Sequence, residues 1–144
     1  MAISAPLRFE RGKGQGFGLT QAERKAVDRH AMAEAENYLK STGHSVEDVS
    51  KNHSYDFLAT KEGQRIIVEV KGTTGSLGSI LLTANEVAAH KNHHPANALV
   101  VVHSIELDRL KIPPCATGGI LHVVKPWNID DAALKPLSFQ YKFS

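Results

Sequence analysis

The chain has 144 residues, 42% of them hydrophobic and 22% charged, which is the composition of one globular domain whose core needs no staples. One cysteine, Cys115, excludes an internal disulfide and fits a reducing, cytoplasmic setting, and the absence of a signal-peptide pattern or a long apolar run gives no expectation of a membrane partner. A formal charge of +2 gives no strong electrostatic argument for nucleic acid and does not exclude it, because an acidic site subtracts from a basic groove.

Residues 8–18, RFERGKGQGFG, carry four glycines and three cations and predict a flexible basic arm over 1–19, with Lys13 a candidate nucleic-acid contact. The run superficially resembles a phosphate-binding glycine loop, but no strand precedes it and no GK[ST] follows, so the flexible tail is the favoured reading. Thr20 and Glu23 have the spacing of a capping box and open a helix that runs to Leu39, with Gly43 as its stop signal. Val27, Ala31, Ala35 and Tyr38 form its buried stripe. Strands are expected over 44–49, 55–59 and 65–71, the last with Ile66, Val68 and Val70 on one face. A short fourth strand is expected over 79–83 and a short helix over 84–91. Residues 98–105 include three consecutive valines and read as a strand covered on both faces. Pro113 and Pro114 mark a loop, and residues 120–124 form a last strand closed by Lys125, Pro126 and Trp127. The order is that of an α/β domain over 20–144, a mixed sheet with helices packed on it.

The chemistry concentrates in the third strand. Glu69 and Lys71 stand two apart in VEVK and share one face, together with Arg65 and Ile67, while Val68 and Val70 face the core. A hairpin turn in KEGQ, centred on Glu62 and Gly63, sets Asp56 opposite Glu69, roughly 5 Å apart at Cβ. Two carboxylates so placed repel each other, and a divalent cation between them would reverse the penalty. Lys71 stands where it could touch a scissile phosphate or orient an attacking water. The plain structural reading of the same residues is an ion-pair cluster on an exposed sheet face, and the geometric argument depends on a turn that does not slip by one residue.

Asp56 followed by Glu69-Val70-Lys71 resembles the PD-(D/E)xK nuclease superfamily. The longer run AERKAVDRHAM, VEDVSKNHSYDF, VEVKGTTG and LLTANEVAAH, between Gln15 and Trp127, is similar to the domain family named after the plant protein NO VEIN. This resemblance implies a restriction-endonuclease-like mixed β-sheet flanked by helices, with an α-β-β-β-α-β core. It also implies a nuclease that uses Mg2+ or Mn2+ to hydrolyse DNA, with Asp56, Glu69 and Lys71 catalytic and Asp56 and Glu69 holding metal. Members often lie beside restriction and anti-phage systems, so a homodimer and other defence-system proteins are the partners the analogy offers. A module that keeps the fold and binds DNA ends or modified DNA without cutting is the alternative. Tyr55 stands where the superfamily's first motif has proline. The superfamily often adds a third acid from the first helix: Asp28 lies near the sheet-facing side, Glu34 at the other margin of the buried stripe, and Glu36 points away. Asp28 is the expected third metal ligand, with Glu34 the alternative.

Thr73, Thr74 and Asn85 are candidate phosphate contacts, the threonines being equally readable as a turn. Thr83 and Glu86 fit the family's LTxNE pattern and also the spacing of a second capping box. His90, His93 and His94 near a helix end could hold zinc, but no fourth ligand is evident and Cys115 lies in a loop of unpredicted position. Trp127 reads as a core plug rather than a base-stacking platform.

Overall fold

The computed structural model describes residues 18–144; Lys13 and nearly all of the predicted arm lie outside them. The first helix, α1, spans Gln21–Ser41. Thr20 accepts the Glu23 N–H and Glu23 accepts the Thr20 N–H, at 3.1 and 2.9 Å, closing the predicted capping box. Three strands follow: β1 (Ser45–Asp48), β2 (Phe57–Lys61) and β3 (Gln64–Gly72). After a long loop come α2 (Ala84–His93), β4 (Asn97–His103), β5 (Glu106–Asp108), β6 (Cys115–Thr117) and β7 (Ile120–Val124). The core order is α-β-β-β-α-β, as expected from the sequence.

Five strands form one mixed sheet in the order β1-β2-β3-β4-β7. The pairs β1/β2, β2/β3 and β4/β7 are antiparallel, and β3/β4 is parallel because α2 forms the crossover between them. β5 and β6 make a separate two-stranded ribbon beside α1. The strand expected over 79–83 is absent: both flanks of β3 are already taken by β2 and β4, so this loop has no inner edge to join. Among the described residues no helix is long and apolar enough to cross a membrane.

α1 packs on one sheet face through Val27, Ala31, Ala35 and Leu39, a stripe of strict four-residue steps. Tyr38, expected in that stripe, lies at its margin because the step from Ala35 leads to Leu39. Phe57, Ala59, Val68, Val70, Ala98, Val100 and Val102 meet this stripe from the sheet. The opposite face is not solvated. Ile67, Glu69, Leu99 and Val101 point into it and are all buried, so β4 is covered on both faces as its run of valines predicts.

Helix and sheet approach closely at Gly72, the last residue of β3. A Cβ there would stand 2.6 Å from the Ala31 Cβ and 3.3 Å from the Val27 carbonyl oxygen. The contact holds the first half of α1, including Asp28, against the end of β3. Gly72→Ala is therefore expected to destabilise the fold by about 1–3 kcal/mol through overpacking. Adding Ala31→Gly should restore much of that loss, as a double-mutant cycle by urea denaturation would show. Additive effects of the two substitutions would contradict the contact.

Candidate active site

The site arises from a mismatch of strand lengths. β3 has nine residues and β2 five, and their register pairs Phe57 with Val68. The paired register ends there, one residue short of the Asp56–Glu69 pair that the KEGQ turn predicts. The Asp56 N–H still donates to the Val68 carbonyl at 2.9 Å, and then the neighbouring strand ends. The next N–H on that side of β3, at Val70, has lost its ladder partner and donates to Asp56 Oδ2 at 2.8 Å. The Asp56 side chain thus completes the backbone pairing where β2 stops.

A pocket of about 260 Å³ opens beyond this point, lined by Asp28, Asp56, Glu69, Lys71, Glu86 and Ser50 among others. Each comes from a different local cause. Asp56 sits before β2, Glu69 and Lys71 lie on the overhanging end of β3, and Asp28 is brought in by α1 through the Gly72 contact. Glu86 stands in the first turn of α2, where Thr83 caps the helix. The Thr83 hydroxyl accepts the Glu86 N–H at 3.1 Å and Glu86 Oε1 accepts the Thr83 N–H at 2.9 Å.

Lys71 Nζ lies 3.1 Å from Glu86 Oε1 and 3.6 Å from Glu69 Oε2, and its side chain is only 11% exposed. Glu69 is 1% exposed. Its other oxygen, Oε1, lies 3.3 Å from Nε2 of the wholly buried His90. Burial and then the facing Asp56 push Glu69 from its ordinary 4.5 up to about 9. Burial also raises Asp56, against the pull of the Val70 N–H. Asp28 is raised by burial as well, and it feels both Lys71 and Asp56 across the pocket. Burial lowers His90 to about 4, leaving it neutral.

These groups suit a hard divalent cation in part. Two carboxyls offer oxygen ligands, and the proton affinity of both is raised chiefly by their removal from water. Among the described residues no group of three or more His, Cys, Asp or Glu converges to enclose a metal ion. The acidic pair would therefore supply two protein ligands, leaving the rest of the coordination to water and substrate, as magnesium commonly accepts.

Of the residues singled out from sequence, Asp28, Asp56, Glu69 and Lys71 meet in this one pocket. Glu34 does not; it lies 3.8 Å from His30 on another part of α1. Thr73 and Thr74 follow β3 without lining the pocket. Thr73 is buried in a turn, with its hydroxyl accepting the Gly75 N–H at 3.0 Å and its backbone bonded to Val102 and Ile105. Asn85 is exposed at the start of α2. The three histidines separate: His90 is buried, His93 bonds the Ala89 carbonyl from an exposed position, and His94 caps the helix end. Cys115 pairs with Asp108 in the small ribbon. Trp127 fits the plug reading, its ring 4.8 Å from that of His90. Sequence reasoning does not find Glu86 as a pocket group or His90 as the buried partner of Glu69. Their i, i+4 spacing, which puts both on one face of α2, was the available signal.

Residues 17–112 match the family model described as Protein NO VEIN, C-terminal, and the chain belongs to that family. No curated protein and no solved structure matches it. The matched span holds every acid of the pocket together with Lys71 and His90, and leaves out Trp127 and β7.

The raised Glu69 has a consequence for stability. Between pH 6.5 and 9 the folded chain keeps a proton on Glu69 that the unfolded chain has lost, so stability falls as pH rises. Below 6.5 the depressed His90 acts in the opposite sense, because there the unfolded chain binds the extra proton. Urea denaturation of metal-free protein from pH 6.5 to 9 should show a decline of up to about 1.4 kcal/mol per pH unit from this group. Glu69→Gln should lose that decline, and the same slope in the variant would contradict the shift.

Proposed function

We propose that this member of the NO VEIN C-terminal family is a metal-dependent nuclease of PD-(D/E)xK type that hydrolyses phosphodiester bonds in DNA with Mg2+ or Mn2+. The observation that supports it most is one: the buried Glu69 carboxyl, the half-buried Asp56 carboxyl and a lysine meet where β3 outruns its neighbour, at the wall of an open pocket. Asp56 and Glu69 would hold the cation, with Asp28 assisting from α1. A bound cation would supply Lewis-acid stabilisation of charge on the phosphate and let both carboxyls ionise. Lys71 would place its ammonium against a phosphate oxygen, where positive charge offsets what develops at phosphorus. Glu86 keeps the Lys71 side chain extended into the pocket rather than free in solvent. Because Lys71, Glu69 and His90 are fixed before substrate arrives, little reorganisation remains for the reacting state. Lys13, Thr73, Thr74 and Asn85 would act, if at all, on the flanking backbone of the nucleic acid. A role inside a restriction or anti-phage system, with a second copy or other defence proteins as partners, rests on the family resemblance alone.

A second reading, a module that binds DNA ends or modified DNA without cutting, draws on the proton held by Glu69 and on the absence of a third converging ligand among the described residues. One experiment separates them. Incubation of plasmid DNA with wild-type protein and Mn2+ should give nicked or linear product. Asp56→Ala and Lys71→Ala should each slow cleavage by on the order of 10²-fold or more while keeping the wild-type circular dichroism spectrum. Cleavage at the wild-type rate in either variant would remove the assignment. DNA binding without any cleavage would favour the second reading.

A further inference from the structure

Glu69 is held from behind by groups that the proposed reaction does not use. Its Oε1 meets Nε2 of His90, whose Nδ1 lies 3.2 Å from Nδ2 of Asn97. His90 and Asn97 are both wholly buried. Asn97 in turn grips the backbone of Trp127: its Oδ1 accepts the Trp127 N–H at 3.1 Å and its Nδ2 donates to the Trp127 carbonyl at 2.9 Å.

This chain of bonds has one consistent set of protons. A backbone N–H can only donate, so the Asn97 atom facing it must be the amide oxygen, which settles the orientation of the amide. The other amide atom is then the nitrogen. One of its hydrogens goes to the Trp127 carbonyl. The second is shared between Nδ1 and the backbone oxygen of His90, the latter at 3.3 Å. A hydrogen on Nδ1 would set two donors against each other in a buried site, so Nδ1 must accept. In a neutral imidazole the proton then sits on Nε2. It is aimed at Glu69 Oε1.

We propose that His90 is a positioning residue for Glu69: Asn97 holds the imidazole with its hydrogen on Nε2, and that hydrogen turns the carboxyl so that Oε2 faces Lys71 and the pocket. This rests on the reading of Glu69 as a metal-holding carboxylate. It adds that one oxygen is reserved for the protein interior and the other for the ligand. Histidine serves here as a rigid donor of set length. The ring of Trp127, tilted at 54° to that of His90 and 4.8 Å away, restricts its rotation. The Trp127 backbone, by ordering Asn97, carries the information about which nitrogen is protonated. Trp127 therefore acts on the site from beyond the end of the family match at residue 112.

Two measurements test this in the full chain. Long-range ¹H–¹⁵N correlation of ¹⁵N-labelled, metal-free wild type at pH 7 should show His90 with a protonated Nε2 and a bare Nδ1. A protonated Nδ1 would overturn the proposal. Calorimetric titration with Mn2+ should then find that His90→Gln, whose terminal amide can donate from the place of Nε2, keeps the affinity to within about threefold, while His90→Leu weakens it about 10–100-fold. Equal weakening in both would show that His90 only fills space, and would also overturn it. If His90→Leu does not fold, the ring nitrogens of the wild type decide the matter. A wild type that binds no Mn2+ would remove the metal reading of Glu69, and the ring nitrogens would still decide the positioning independently.

Discussion

Two carboxyls facing each other in a desolvated wall are the constraint around which the rest of the site is arranged. Neither Asp56 nor Glu69 can ionise freely there, because burial keeps both from water and Asp56 adds its repulsion at Glu69. A folded domain gains nothing in stability from that pairing; an apolar pair of the same size would serve the sheet better. The surrounding groups do not abolish the tension. Val70 gives Asp56 one hydrogen bond, Lys71 brings a cation to 3.6 Å from Glu69, and His90 supplies one donor. The remaining imbalance is what a divalent cation would relieve.

Building this pair requires a sheet that ends unevenly. Had β2 run as long as β3, the Val70 N–H would be in the ladder and Asp56 would be an ordinary cross-strand neighbour. The overhang leaves a gap on the β2 side of β3, and both helices converge on it. α1 can come close because Gly72 and Ala31 leave room, which carries Asp28 to the rim. α2 covers the other face with His90 inward and Glu86 at its start. Its capping box therefore does two things: it satisfies the first turn of the helix and fixes the carboxylate that engages Lys71.

Much of this was legible in the sequence, for physical reasons. The hairpin register follows from a two-residue turn at Glu62 and Gly63, both at positive φ, which fixes which residues of β2 and β3 pair. The helix start at Thr20 is a local hydrogen-bond pattern, readable from four residues. The family's helix motif and the helical wheel both favour Asp28 over Glu34, and of the two Asp28 is the one that lines the pocket. What was not legible depends on tertiary contacts. Nothing local says that residues 79–83 find no edge to pair with. Nothing local says that HKNHHP turns one histidine inward and leaves the others near the surface. The burial of Glu69 on a face expected to be charged and open follows from the placement of α2, which the pattern of β3 alone does not contain.

The central claim is that Asp56 and Glu69 are poised for a cation. It is tested most directly by titrating the wild-type chain with Mn2+ at pH 7 in two buffers of different ionisation enthalpy. The account predicts about one site per chain and release of about one proton on binding, because Glu69 must give up the proton it holds in order to act as a ligand. Absence of binding, or binding that releases no proton and survives Asp56→Asn with Glu69→Gln, would contradict it.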